Sequence, residues 1–320
     1  MNPLFRTIIR IPPSRPISLA SKCMMMGSCF SEEISEKLIQ SGLSVINNPA
    51  GILFNPISIL NILERMRKEQ LYIQSELQIH NNQFFSWEHH GSFKHQNREI
   101  LLNKINSLVQ QSINYNAEHP VRIITWGSAI IYRIKETDQV VANCHKQPSS
   151  IFNRKMLTVD EIVNQYVIYI EKMLLIEPVF RIIITVSPVR YAKDGFVENQ
   201  LSKSILFVAL NKLIELYPEH IEYFPAYEII MDELRDYRFY KTDMIHPNQV
   251  AVDLVWQYFQ KTYFTATDQK VLKEIEAFNS LRTHRPLFPD SEETARLQNT
   301  IEKKRSELML KYPYLNLDLL

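Results

Sequence analysis

A serine, a histidine and an aspartate can share one acyl-transfer reaction when the histidine lies between the other two. The chain offers the parts of such a set at two distant places. Gly27-Ser28-Cys29-Phe30 follows a short apolar run, Ala20–Met26, and precedes a helical pattern. A serine there stands at the positive end of a helix dipole. Its own N–H and that of Cys29 are available to charge developing on a carbonyl oxygen. Serine is also an ordinary N-cap residue, so the position alone has two readings. Near the far end of the chain, Asp243-Met-Ile-His246 precedes Pro247. An aspartate three residues ahead on a turn can reach the histidine Nδ1 and leave Nε2 free for the serine proton. Proline pushes His246 to an extended conformation and suits the first position of a helix, expected over Pro247–Tyr263. A capping aspartate beside a surface histidine is the plainer reading of the same four residues.

Other residues could bind or react. Cys29, next to Ser28, is a rival nucleophile for His246, although adjacent side chains leaving a turn point in different directions. Arg190, after the run Arg181–Val186, is expected at a cleft rim, where it could read a carboxylate or phosphate. Arg235 and Arg238 lie near the Asp–His pair, but Asp232, Glu233 and Asp236 are at hand to neutralise them. His89 and His90 lie in an aromatic, polar stretch from Leu71 to His95 with the composition of an active-site lid, so His90 is a candidate for substrate contact. They lack a carboxylate or third histidine at metal-ligand spacing, so no metal is expected.

These residues need elements to hold them. Apolar runs at Ala20–Met26, Leu43–Ile46, Val121–Trp126, Arg181–Val186 and Ile221–Phe224 read as strands. Helical spacings occupy about 31–40, 58–68, 199–216 and 247–263, the third with Leu201, Ile205, Leu206, Leu213 and Leu216 inward. Another follows the capping box Thr158-x-x-Glu161. The alternation implies a parallel sheet covered on both faces, a three-layer α/β/α sandwich. Ligands of such sheets bind at the carboxyl ends of the strands, where Ser28 and Arg190 fall. From about Ala266 the pattern is helical only, with a charged segment Ser291–Lys311. The chain therefore divides into a catalytic unit, 1–265, and a helical appendage, 266–320, that could cover a flank of the sheet or meet a second subunit.

The GSCF at Gly27–Phe30, the VANCHK at Val141–Lys146 and the block FPAYEIIMDELRDYRFYKTDMIHP at Phe224–Pro247 resemble the GSCFA family, within the SGNH (GDSL-like) hydrolase group. The resemblance covers roughly residues 20 to 265. It implies a flavodoxin-like sandwich, hydrolysis of an ester or similar acyl group, Ser28 as nucleophile, and Asp243 and His246 as acid and base. It also implies an oxyanion hole formed by the Ser28 N–H, a glycine after the second strand, which Gly51 matches, and an asparagine after the third. No G-x-N-D occurs there. The nearest downstream asparagine is Asn143, which could donate to the oxyanion or merely cap a turn, and His145 beside it could hold the loop or touch substrate.

Composition narrows the alternatives. Net charge is +1, from 36 basic and 35 acidic residues, which argues against a nucleic-acid partner. Six glycines, with neither a G-x-G-x-x-G nor a phosphate-binding lysine loop, argue against nucleotide cofactors, and no other cofactor is called for. The lead-in 1–20 carries Arg6, Arg10 and Arg15 but is broken by Pro12, Pro13 and Pro16, unlike a secretion signal. No apolar stretch is long enough to span a membrane. Three cysteines without pairing or metal spacing suit a reducing cytoplasm. The expected partner is a small-molecule or carbohydrate-linked acyl substrate, and an oligomer is allowed. A binding module that kept the fold and lost turnover is the non-enzymatic alternative.

Overall fold

A computed structural model describes residues 7–283 and 292–317. In chain order, β1 (Cys23–Gly27) leads into α1 (Cys29–Gln40), β2 (Val45–Asn47) and α2 (Pro56–Arg67). Three short antiparallel strands follow, β3 (Leu77–His80), β4 (Gln83–Ser86) and β5 (Lys94–His95). Next come α3 (Arg98–Asn116) and β6 (Val121–Trp126), then a second small antiparallel sheet of β7 (Ile130–Ile134), β8 (Val140–Val141) and β9 (Phe152–Met156). The rest runs α4 (Val159–Leu174), β10 (Ile182–Val186), α5 (Phe196–Leu216), β11 (Ile221–Tyr223) and α6 (Ala226–Glu228), which continues as a π-turn over Ile229–Glu233. The chain closes with α7 (Gln249–Tyr263), α8 (Ala266–Arg282) and α9 (Glu292–Lys311).

The central sheet is parallel throughout, in the order β11-β10-β6-β1-β2. Counted along the chain, its strands stand 2-1-3-4-5, so the order reverses at β1 and β6. Alternate residues of β1 serve opposite layers. Met24 and Met26 join the core shared with α2, α3, α4 and α5, while Cys23 and Met25 join the core of α1, α7 and α8. Ile182, Ile183 and Ile184 of β10 are wholly buried, as a strand covered on both faces requires. This is the expected three-layer α/β/α sandwich. From the C-terminal helices, Val271, Leu272, Ile275 and Phe278 of α8 and Leu308 of α9 enter the core of α1 and α7.

Several sequence expectations need adjustment. Helix α1 begins at Cys29, two residues early, and Pro247 precedes Asn248, the true N-cap of α7, so the helix starts at Gln249. Leu201 and Leu216 face solvent. The inner face of α5 instead carries Asn199, Ser202 and Lys203 near its start, because the strand ends there present polar backbone. The Thr158–Glu161 capping box forms as expected. Residues 71–95 are not a loose lid: Tyr72, Phe85, His89 and Phe93 are buried in and around the β3–β5 sheet. Residues 1–6 of the lead-in and Ser291 lie outside the described residues.

Candidate active site

Strand β1 ends at the point where the strand order reverses, and its last residue must be glycine. Gly27 has φ 139°, and a Cβ there would lie 2.2 Å from the Thr125 carbonyl oxygen of β6. Ser28 follows, extended at φ −72° and ψ 175°, in the N-cap position of α1. Its hydroxyl caps nothing. Ser28 is only 1% exposed, and its Oγ has no hydrogen-bond partner among the described residues. The capping reading therefore does not account for this serine.

Asp243 and His246 do come together. The Asp243 Oδ2 lies 2.7 Å from His246 Nδ1, and its Oδ1 accepts from the backbone N–H groups of Ile245, at 2.9 Å, and His246, at 3.0 Å. Those backbone bonds, with the imidazole, hold the carboxyl down to about 2. The intervening Met244 takes φ 58° to close the turn. The loop is sealed at its base by a Tyr240–Pro247 bridge and by Lys241 N–H donating to His246 carbonyl at 2.7 Å. Lys241 then reaches Glu33 of α1 at 2.9 Å. The His246 side chain is 40% exposed and makes no bond to Ser28 among the described residues, so the serine–histidine link is open.

A family model described as the GSCFA family matches residues 22–259, from β1 nearly to the end of α7. The chain belongs to the GSCFA family. No curated protein matches it.

The other expected site residues of this GSCFA protein are placed unevenly. The backbone N–H groups of Ser28 and Gly51 are not free: Ser28 donates to Thr125 carbonyl at 3.3 Å and Gly51 to Asn48 carbonyl at 2.7 Å. Asn143 uses its Oδ1 to accept from the His145 N–H at 2.8 Å, a turn contact. The His145 ring stacks on Phe85 and meets the Ser86 carbonyl at 2.9 Å, and burial lowers its pKa to about 4. These bonds give His145 a loop-holding role. His90 is fastened to Ser92 through Nδ1 at 3.0 Å, and its Cβ lies just beyond Gly51. Arg190 donates through Nε to Asn199 at 2.7 Å on α5, rather than standing free at the rim. The Cys29 thiol has N–H groups of its own turn nearby, yet burial outweighs them and raises its pKa, which keeps the proton on sulfur. Among the described residues, no cluster of three or more His, Cys, Asp or Glu side chains is arranged to hold a metal ion, and no helix is long and apolar enough to cross a membrane.

Two residues escaped the sequence reading. Asn48, 8% exposed and at φ 43°, accepts the Gly27 N–H on its Oδ1 at 2.8 Å, while its Nδ2 is buried without a partner among the described residues. The only signal in the sequence is the Asn47-Asn48-Pro49 turn. Lys203 is fully buried and donates to the Gly127 and Ser187 carbonyls, both at 2.6 Å. It ties together the carboxyl ends of two neighbouring strands. Burial, with Arg190 nearby, pushes its pKa down to about 7. A lysine on the apolar face of α5 was the available clue.

Proposed function

We propose that this GSCFA protein is a serine hydrolase of the SGNH kind that cleaves an ester or similar acyl group through an acyl-serine intermediate. The observation that carries the reading is the Ser28 hydroxyl: buried at a helix N-terminus, it neither caps the helix nor bonds elsewhere among the described residues. The doubly anchored Asp243 supports it, since a fixed carboxylate on Nδ1 leaves His246 Nε2 as the proton acceptor.

In the proposed reaction, Ser28 Oγ bonds to the acyl carbon as His246 takes its proton. His246 returns that proton to the leaving alcohol, and water repeats both steps to release the acid. The serine–histidine hydrogen bond, open here, forms in this reaction when substrate enters. Stabilisation of the oxyanion falls to donors not already engaged. The free Asn48 Nδ2 fits this better than the occupied N–H groups of Ser28 and Gly51, and Asn143 is the second candidate. No cofactor takes part. The substrate is a small-molecule or carbohydrate-linked ester, and the unpaired cysteines support a reducing, cytoplasmic setting.

A second reading, a binding module without turnover, is favoured by one observation, the closure of Ser28 from solvent. A fluorophosphonate probe separates the two. Labelling of wild type and Cys29→Ala, but not Ser28→Ala, is the expected result. Labelling that persists in Ser28→Ala and vanishes in Cys29→Ala would move the nucleophile to sulfur. No labelling of any variant, with no ester turnover, would leave the binding module.

A further inference from the structure

A cleft of about 460 Å³ lies over the carboxyl ends of β6 and β10, between the β7–β9 sheet and the segment Tyr191–Asp194. That volume suits a small organic ligand. Its wall is tied to the Ser28 turn through the backbone. The Phe54 carbonyl accepts the N–H groups of Gly127 and Ser128, at 2.7 and 2.9 Å, while the preceding Leu53 donates to the Gly27 carbonyl at 2.9 Å. Phe54 and Ser128 both line the cleft, so its wall is one residue removed, through Leu53, from a backbone bond to the residue before Ser28. Phe54 meets Tyr191 edge to face at 5.2 Å, giving that end an aromatic side.

The charge of the cleft is one-sided. Lys146 and Lys193 line it, and neither pairs with a carboxylate among the described residues. The one acid in the lining, Asp194, pairs with Arg154 at 3.3 Å, but that guanidinium is shared with Glu198 at 2.7 Å, so the trio keeps one negative charge. The two unpaired ammonium groups outweigh that surplus acid and leave the cleft with a net charge of +1, and an anion is the ligand that such a surface selects.

We infer that this cleft receives a carboxylate-bearing portion of the substrate, held by Lys146 and Lys193 while the ester bond lies at Ser28. The substrate class is then an anionic acyl ester. The inference rests on the hydrolase reading for its geometry, but its binding half can be measured without turnover.

Two probes of similar size serve, mono-para-nitrophenyl glutarate and neutral para-nitrophenyl butyrate. Wild type should favour the glutarate in kcat/KM by about tenfold at low salt, and the preference should shrink in about 0.5 M salt. The Lys146→Ala/Lys193→Ala variant should bring the ratio close to one. In parallel, the hydrolysis-resistant amide glutaryl-para-nitroanilide is titrated calorimetrically into Ser28→Ala. It should bind more tightly than butyryl-para-nitroanilide, and adding the two lysine changes should remove the difference. Equal binding of the two anilides would overturn the inference, whether or not esters are cleaved. A preference unchanged by the lysine substitutions would overturn it too. Selective anilide binding without any ester cleavage would uphold the anion site and sink only the hydrolase reading.

Discussion

Lys241 sits 2.9 Å from Glu33 and so moors the loop that carries His246 to the helix that Ser28 precedes. The two halves of the proposed machinery lie more than two hundred residues apart in sequence, and this ion pair is a direct side-chain tie between them. Both partners are partly exposed, so the pair adds at most about 1 kcal/mol to stability. Its value is positional.

Glu33→Gln should therefore leave the melting temperature nearly unchanged while ester turnover falls about ten- to a hundredfold, since small misplacements of a base are costly. The swap Glu33→Lys/Lys241→Glu should restore much of the loss. If turnover and melting temperature fell together, the pair would be structural only.

Asp243→Asn should reduce turnover by about 10⁴, because an amide favours the wrong imidazole tautomer. The wild-type carboxyl, held at about 2, stays charged throughout the range in which the protein can be assayed. Any acid limb of the rate profile between pH 5 and 8 must then come from another group, and His246→Ala should abolish turnover altogether. Asp243→Asn turning over as fast as wild type would remove the aspartate from the mechanism.

Asn48 and Asn143 can be told apart by measuring turnover and stability on one sample. Asn48→Ala should cost about 10²–10³ in kcat if its amide meets the oxyanion. Asn143→Ala should chiefly lose the turn that its Oδ1 makes with His145, about 1 kcal/mol, with turnover per folded molecule kept. The reverse pattern would return the oxyanion role to Asn143.

Acid should weaken the fold in a defined window. Burial lowers the pKa of His89 to about 3 and of His145 to about 4. In the unfolded chain each takes its proton near about 6.5. The unfolded state thus binds more protons across that interval, so stability is full above about pH 6.5 and declines as pH falls toward 4. Urea midpoints at pH 7, 5.5 and 4.5 should fall in that order, and His89→Phe should flatten the decline. Equal midpoints in wild type would mean that both rings take up protons while folded.

The sequence discloses what is local. The strand Val121–Trp126 is apolar from end to end, and Asp243 needs only a turn to reach His246. Helix α3 was also within reach: Asn97 caps it, and Leu101, Ile105, Val109 and Ile113 recur every fourth residue on its buried face. Strand β7 does not stand out in the sequence, because it starts only four residues after β6 ends and one apolar stretch serves two sheets. Strand β9, with most of its residues exposed, has too little apolar content to stand out. Asn48 could not have been found this way. Its importance comes from Gly27, twenty-one residues earlier, and contacts of that kind exist only once β1 and β2 lie side by side.

The 2.2 Å approach to Thr125 at Gly27 separates two kinds of information written into adjacent letters of the motif. Glycine is demanded by the fit of two central strands, whatever chemistry the protein performs, and the serine, under the proposed mechanism, by the chemistry alone. A relative that had abandoned catalysis would still have to keep the first letter and would be free to change the second. Retention of the glycine would therefore be a signature of ancestry alone, and under the proposed mechanism it is the residue after it that would distinguish a working member of the lineage from a silent one.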